Sequence, residues 1–222
     1  MQRGRRLNCF DRIEPARTAL IGIDLQNAFT LPGEVFGNPH ACDILPNVNR
    51  AADALRRRGG KVVWTRQTIS DQPPLAYPAW QFDERLDFVK RAKQALAVGS
   101  PGHALHRGVE VGDGDQVLNK YRYSAFARHS SELDALLRDW GTDTLIIAGT
   151  LTNCCCESTA RDANMLGYRV LFLSDATAAV TDQEHNAALL NLQIMFADVR
   201  RTSEVLEMIE PATTPSGPKS PG

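Results

Sequence analysis

Long apolar runs are missing from this 222-residue chain. None approaches the roughly 20 residues that span a bilayer, so no membrane partner is expected. Charge of one sign is also missing: 25 basic residues stand against 26 acidic ones, for a net charge of −1 at pH 7. That balance argues against a dedicated binder of nucleic acid or of a membrane surface. The start, Met1 to Arg6, is basic, but no apolar stretch follows it, and no secretory signal is read there. Disulfide spacing is absent, because the five cysteines are an odd count and three are consecutive (Cys154, Cys155, Cys156). Reduced thiols and a cytoplasmic location are the expectation. Redox Cys-x-x-Cys pairs and internal repeats are lacking as well. The histidines His40, His103, His106, His129 and His185 show no ligand spacing and read as surface or packing residues.

What is present is an ordinary globular composition, 43 % hydrophobic and 23 % charged. A chain of this size buries about 70 % of its unfolded surface, enough for one real core. The expected organisation is an N-terminal extension over 1–14, a single domain over 15–210 and a disordered Pro/Ser/Gly/Thr-rich tail over 211–222.

Short apolar runs alternate with helical patterns. Strands are expected over 18–24, 61–65, 116–120, 144–149 and 169–173, with a last short one near 199–201. Helices are expected over 44–58, 131–140, 154–166, 183–196 and 203–209, with Gly59, Gly141 and Gly167 as stops. Ser130 or Ser131 is the expected N-cap of the second of these. Residues 70–106 hold Pro73, Pro74, Pro78, Pro101 and Gly102 and read as a long excursion with one short helix, suited to an active-site lid. The alternation specifies an α/β fold: a doubly wound, mostly parallel six-stranded sheet with helices on both faces. In such sheets the ligand lies beyond the carboxyl ends of the strands. Three expected strands end there in Asp24, Lys120 and the cysteine cluster.

A thiol at the first turn of a helix feels the positive end of the helix dipole, and a nearby ammonium favours its ionisation. A carboxylate can take the thiol proton and later deliver it to a leaving group. Together the three groups suit attack on a carbonyl or amide. Each also has an ordinary reading, as a turn-capping Asp, a surface Lys and a buried Cys.

The stretch Gly149-Thr150-Leu151-Thr152-Asn153-Cys154-Cys155-Cys156-Glu157-Ser158-Thr159-Ala160-Arg161-Asp162-Ala163 resembles the nucleophile segment of the isochorismatase-like cysteine hydrolases. Ile23-Asp24-Leu25-Gln26-Asn27-Ala28-Phe29 resembles their acidic strand end, and Asn119-Lys120-Tyr121-Arg122-Tyr123-Ser124-Ala125-Phe126 their lysine segment. Asp175-Ala176-Thr177-Ala178-Ala179, followed by His185, fits their closing strand and helix. The motifs stand in family order from about Pro15 to Ile209. The resemblance implies a Rossmann-like three-layer sandwich.

The resemblance further implies Cys155 as nucleophile, Asp24 as general base and acid, and Lys120 as thiolate stabiliser. Backbone N–H groups of Leu151 and Cys155 would form the oxyanion hole, with a cis peptide at Thr150–Leu151. Cys154 and Cys156 are expected to be small buried packing residues. Nicotinamidase-type members carry an Asp-x-His metal set after the second strand. Residues 64–74 contain no histidine, so no metal and no cofactor are expected. Substrate contacts are expected from Asn27, Phe29, Tyr123 and Phe126, from Trp80 and Phe82 on the lid, and from Gln193. An ion pair of Arg161 with Asp162 or Asp175 is expected to be structural. The implied activity is hydrolysis of a C–N bond in a small amide, carbamoyl or ureido compound, nearest in motif to N-carbamoylsarcosine amidases, biuret hydrolases and ureidoacrylate amidohydrolases. Vinyl-ether hydrolysis and a non-catalytic binding or scaffold role are the alternatives. The family usually forms dimers or tetramers, which makes a second copy of the chain the expected partner.

Overall fold

The computed structural model describes residues 6–210. The tail over 211–222 and residues 1–5 lie outside the described residues.

Six strands form one sheet: β1 (Thr18–Ile23), β2 (Lys61–Gln67), β3 (Gln116–Lys120), β4 (Thr144–Thr150), β5 (Arg169–Ala178) and β6 (Asp198–Arg200). Their order is β3-β2-β1-β4-β5-β6 and every pairing is parallel. The helices are a single turn α1 (Asn27–Thr30), then α2 (Leu45–Arg57), α3 (Asp87–Ala95), α4 (Leu133–Asp139), α5 (Glu157–Met165), α6 (Asp182–Asn191) and α7 (Thr202–Ile209). Among the described residues no helix is long and apolar enough to cross a membrane.

Alternation along the strands divides the interior into two layers. On one face, α2 and α7 bury Val48, Leu55, Val205 and Ile209 against Leu20, Trp64, Ile146 and Leu171. On the other, α4 and α5 bury Leu133, Leu137, Ala160 and Ala163 against Ile21, Val63, Ile147 and Phe172. Strand order reverses between β1 and β4, and that switch point is where a doubly wound sheet opens a crevice.

Several elements differ from the sequence expectation, each for a visible reason. β2 runs two residues further, through Arg66 and Gln67, because both pair in register with Asn119 and Lys120 of β3. β5 continues to Ala178 after a register shift opposite Ile147 and Gly149. Its polar second half is satisfied locally: Ser174 donates to Arg200 O, Thr177 to Leu173 O, and Asp175 accepts from Thr202 N and Oγ1. The expected helix 154–166 is split into a π-helical turn (Thr152–Cys156) followed by α5. Leu151 O accepts the N–H groups of both Cys154 and Cys156, each at 3.1 Å, which widens the turn. Such turns occur frequently at functional sites. Another π-helical turn, Leu192–Phe196, closes the helix expected to end at Phe196. α4 starts at Leu133, whose N–H bonds to Ser131 Oγ.

The described part of the 1–14 segment docks on the sheet. The N–H groups of Cys9 and Phe10 donate to Asp198 Oδ2 at 2.7 and 2.8 Å, and Ile13 is buried.

Gly22 on β1 faces the Trp64 ring, and a Cβ there would lie 2.2 Å from Trp64 Cε3. Trp64 cannot retreat, being fully buried and tied through Nε1 to Asp115 Oδ2 at 2.7 Å. Gly22→Ala should therefore destabilise the protein by about 1–3 kcal/mol through overpacking. Urea denaturation of the two proteins checks this; an unchanged midpoint would contradict the packing described.

Candidate active site

The crevice at the switch point is built from strand ends. Register pairs Ile23 with Gly149, so the segments leaving β1 and β4 start side by side. A Cβ on Gly149 would lie 2.1 Å from Ile23 O, and its φ of +119° is one that side-chain-bearing residues rarely adopt. Glycine is what lets these two strand ends approach. Directly after β1, Asp24 takes a left-handed conformation (φ +52°), uncommon for a non-glycine residue and enriched at functional sites.

Asp24 and Lys120 are both fully buried, and Lys120 Nζ meets Asp24 Oδ2 at 2.8 Å. Among the described residues Oδ2 has no polar partner other than that ammonium. Thr65 donates its hydroxyl to Oδ1 at 2.8 Å. The Lys120 ammonium donates to Gln67 Oε1 at 2.5 Å and to Arg122 O at 3.0 Å. Gln67 is held in turn by Gln26, whose Oε1 accepts Gln67 N–H and whose Nε2 donates to Gln67 O. Burial works against the charge on Lys120, but Asp24 first and Cys155 second hold its pKa above the ordinary lysine value.

Cys155 sits in the π-helical turn after β4, buried, with Asp24 and Lys120 both acting on its charge. Its hydrogen bond with Cys154 raises the Cys155 thiol pKa and lowers that of Cys154; burial and the Asp24 carboxylate add to the rise at Cys155. Lys120 pulls in the direction expected of a thiolate stabiliser but is outweighed. The net balance of these influences disfavours the thiolate at Cys155. The Thr150–Leu151 peptide is cis. The Leu151 N–H has no hydrogen-bond partner among the described residues.

A cavity of about 190 Å³ ends on Cys155. Cys154, Leu151 and Gln67 line it with Phe29, Phe36, Ile69, Leu96, Tyr77, Phe82 and Tyr123. Phe29 and Phe36 stack at 5.1 Å between ring centres, and Tyr77 and Phe82 at 4.3 Å. Tyr77 donates no charge to the site: burial pushes its pKa up to about 12, and its hydroxyl accepts a hydrogen bond from Gln67 Nε2 at 3.1 Å. The segment carrying Tyr77 and Phe82 is fastened from outside. Arg122 donates to the carbonyls of Pro74, Leu75 and Ala76 and stacks 5.0 Å from the Tyr77 ring centre. A wider hollow of about 650 Å³ shares Ile69, Tyr77 and Phe82, but it does not reach Cys155, and its Lys93 is engaged by Asp71 and Glu84.

Of the residues expected to contact substrate, Phe29, Phe82 and Tyr123 line the cavity. Four do not. Trp80 is 84 % exposed. Phe126 packs against Tyr168 at 5.6 Å in the second core layer. Asn27 donates to Pro101 O, and Gln193 bonds Leu7 O and Val199 N far along the sheet. Cys154 is half-buried rather than fully buried: it packs against the second core layer and also lines the cavity, because the π-helical turn brings it out beside Cys155; Cys156 is fully buried. Arg161 pairs with Glu157 rather than with Asp162 or Asp175. His185 bonds Thr152 Oγ1, and His103 bonds Thr68 Oγ1. Gln67, Tyr77, Phe36, Ile69 and Leu96 were not identified from sequence. Gln67 lay within reach of strand alternation had β2 been carried two residues further.

The fold and the crevice together define a doubly wound sheet protein with a Cys–Asp–Lys centre at its switch point. A family model described as the isochorismatase domain matches residues 18–204. The chain is 32 % identical to a ureidoacrylate amidohydrolase RutB of Methylobacterium radiotolerans, over 92 % of this chain and 84 % of that protein. A cysteine hydrolase from Pseudomonas syringae pv. phaseolicola superposes with a TM-score of 0.82 at 28 % identity, covering 93 % of this chain and 98 % of that one. N-carbamoylsarcosine amidase from Thermoplasma acidophilum does so with a TM-score of 0.67 at 25 % identity, covering 84 % and 96 %. The chain belongs to the isochorismatase family of hydrolases.

Because only the thiolate reacts with alkylating agents, a raised pKa makes Cys155 slow to modify at neutral pH. Its iodoacetamide rate should still be climbing above pH 9, whereas exposed Cys9 should react readily at pH 8. Peptide mass mapping across pH reads both. A Cys155 rate already level by pH 7 would contradict the electrostatics described.

Proposed function

We propose that this protein is an amidohydrolase that cleaves a C–N amide, carbamoyl or ureido bond of a small molecule through a thioester on Cys155. The observation that carries this reading is the buried Asp24–Lys120 pair acting electrostatically on a buried thiol that lines a small aromatic-walled cavity. The names of the relatives, a ureidoacrylate amidohydrolase and an N-carbamoylsarcosine amidase, support the same bond type.

The proposed cycle starts from the form of the pair in which the proton is on sulfur. As Sγ attacks the carbonyl carbon, Asp24 accepts the thiol proton and the C=O electron pair moves onto oxygen. The oxyanion would be held by the N–H groups of Leu151 and Cys155, the first of which is otherwise unengaged. The tetrahedral species collapses with cleavage of the C–N bond, and Asp24 delivers its proton to the departing nitrogen. Water then attacks the thioester, giving its proton to Asp24. The C–S bond breaks, acid is released and the proton returns to Sγ. Lys120 stays charged throughout. Its role is to hold the Asp24 side chain in place through their ion pair and to lower the energy of the transient thiolate.

The test is ammonia release from a panel of small amides and ureides, with intact-mass detection of an acyl adduct on Cys155. Cys155→Ser and Asp24→Asn should each lose about 10³-fold or more in turnover, and the double variant should be scarcely worse, since the pair acts as a unit. Cys154→Ser should keep turnover within about 10-fold, because its thiol borders the nucleophile without replacing it. Loss of activity in Cys154→Ser with retention in Cys155→Ser would reverse the assignment.

A further inference from the structure

The cavity that ends on Cys155 holds no compensating charge. Among the described residues no Arg, Lys or His side chain lines it. Lys120, which is not among the lining residues, is already matched by Asp24 and gives its hydrogen bonds to Gln67 Oε1 and Arg122 O. Arg122, stacked on Tyr77, has its terminal NH groups committed to the carbonyls of Pro74, Leu75, Ala76 and Tyr121. Lys93 is engaged by Asp71 and Glu84, and Arg85 by Asp83. The walls are instead aromatic: Phe29 stacked on Phe36, and Tyr77 stacked on Phe82 with Tyr123 at 6.2 Å. A carboxylate placed here would lose its hydration without gaining a partner and would sit near the Asp24 carboxylate, an arrangement that strongly disfavours binding. At about 190 Å³ the space is also smaller than the roughly 300–1,000 Å³ that accommodates drug-sized ligands.

From this we infer that the substrate is an uncharged amide or ureide whose non-reacting part is a small apolar or aromatic group, and that this chain selects against the carboxylate-bearing ureides named for its ureidoacrylate-hydrolysing relatives. The inference rests on the reading of Cys155 as the acylated group. The reacting carbonyl lies at Cys155, and the apolar body lies between the two stacked ring pairs.

Two ureides that differ only in the body test it: phenylurea, neutral and aromatic, and 3-ureidopropionate, anionic and aliphatic. Calorimetric titration of the Cys155→Ser protein measures binding without chemistry. Protection of Cys155 from alkylation in the unmodified protein measures it independently of that variant's folding. Phenylurea should bind at least about 30-fold more tightly than 3-ureidopropionate, the scale expected when one ligand leaves a buried charge unpaired. Phe82→Arg, which adds a cation to the wall, should narrow that gap about 10-fold. No binding of phenylurea, an equal or reversed preference, or an unchanged gap in Phe82→Arg would overturn the inference. The catalytic reading is judged separately: a binding preference without ammonia release or acyl adduct would refute the amidohydrolase assignment and leave the neutral-ligand inference standing. Turnover of 3-ureidopropionate at the rate of phenylurea would do the reverse.

Discussion

An ammonium and a carboxylate, both removed entirely from solvent, meet at 2.8 Å in the centre of this molecule. Either charge alone at that depth would cost several kcal/mol of lost hydration. Their coexistence depends on every strand end around them. Lys120 is the last residue of β3, an edge strand, and reaches past β2 to the end of β1. Thr65 and Gln67 at the end of β2 supply the hydroxyl and the amide oxygen that complete the two charges. Gln26 fixes Gln67 in place with two hydrogen bonds, and it also ties the chain after β1 to His103 O. The pair is therefore a product of topology: it assembles only when β3, β2 and β1 lie in that order with their carboxyl ends level.

The thiol is added to this pair by a different device. Glycine at 149 permits a close approach of β4 to β1, and the π-helical turn that follows rotates Cys155 inward while bringing Cys154 to the cavity wall. Backbone geometry thus sets the chemistry on the sheet side of the crevice. The opposite wall of the cavity is made of side chains from the loop over 70–86, from α1 and from Phe36 just after it, where aromatic stacking rather than hydrogen bonding provides the shape. The two halves answer to different constraints, one electrostatic and one steric.

Much of this was legible in the sequence. Strands β1 and β4 announce themselves by apolar runs that lead to Asp24 and the cysteines, and two-sided burial makes such runs continuous; β3, an edge strand largely open to solvent, is marked only by Val117, Leu118 and its end at Lys120. The end of β2 and the second half of β5 were hidden because their residues are polar, and polar residues enter a sheet interior only when partners from distant segments meet them. Gln67 needs Gln26 and Lys120, and Asp175 needs Thr202. The cavity wall was least legible, since aromatic residues at irregular spacing carry no period. Phe29, Phe82 and Tyr123 could be named from their neighbours, while Trp80 and Phe126 have the same chemistry and point elsewhere. Helical periodicity also misplaced Cys154, because a one-turn widening changes which residues share a face.

Arg122 joins the two halves. Its side chain clasps three consecutive carbonyls of the loop and lies on the Tyr77 ring, while its own carbonyl accepts a hydrogen bond from the Lys120 ammonium. Tyr77 reaches the same ammonium through Gln67. A redesign of the loop meant to admit bulkier compounds would shift both of these connections and, with them, the field around the sulfur. In this architecture the shape of the cavity and the reactivity of the Cys155 thiol are mechanically linked, and a change in one is inherited by the other.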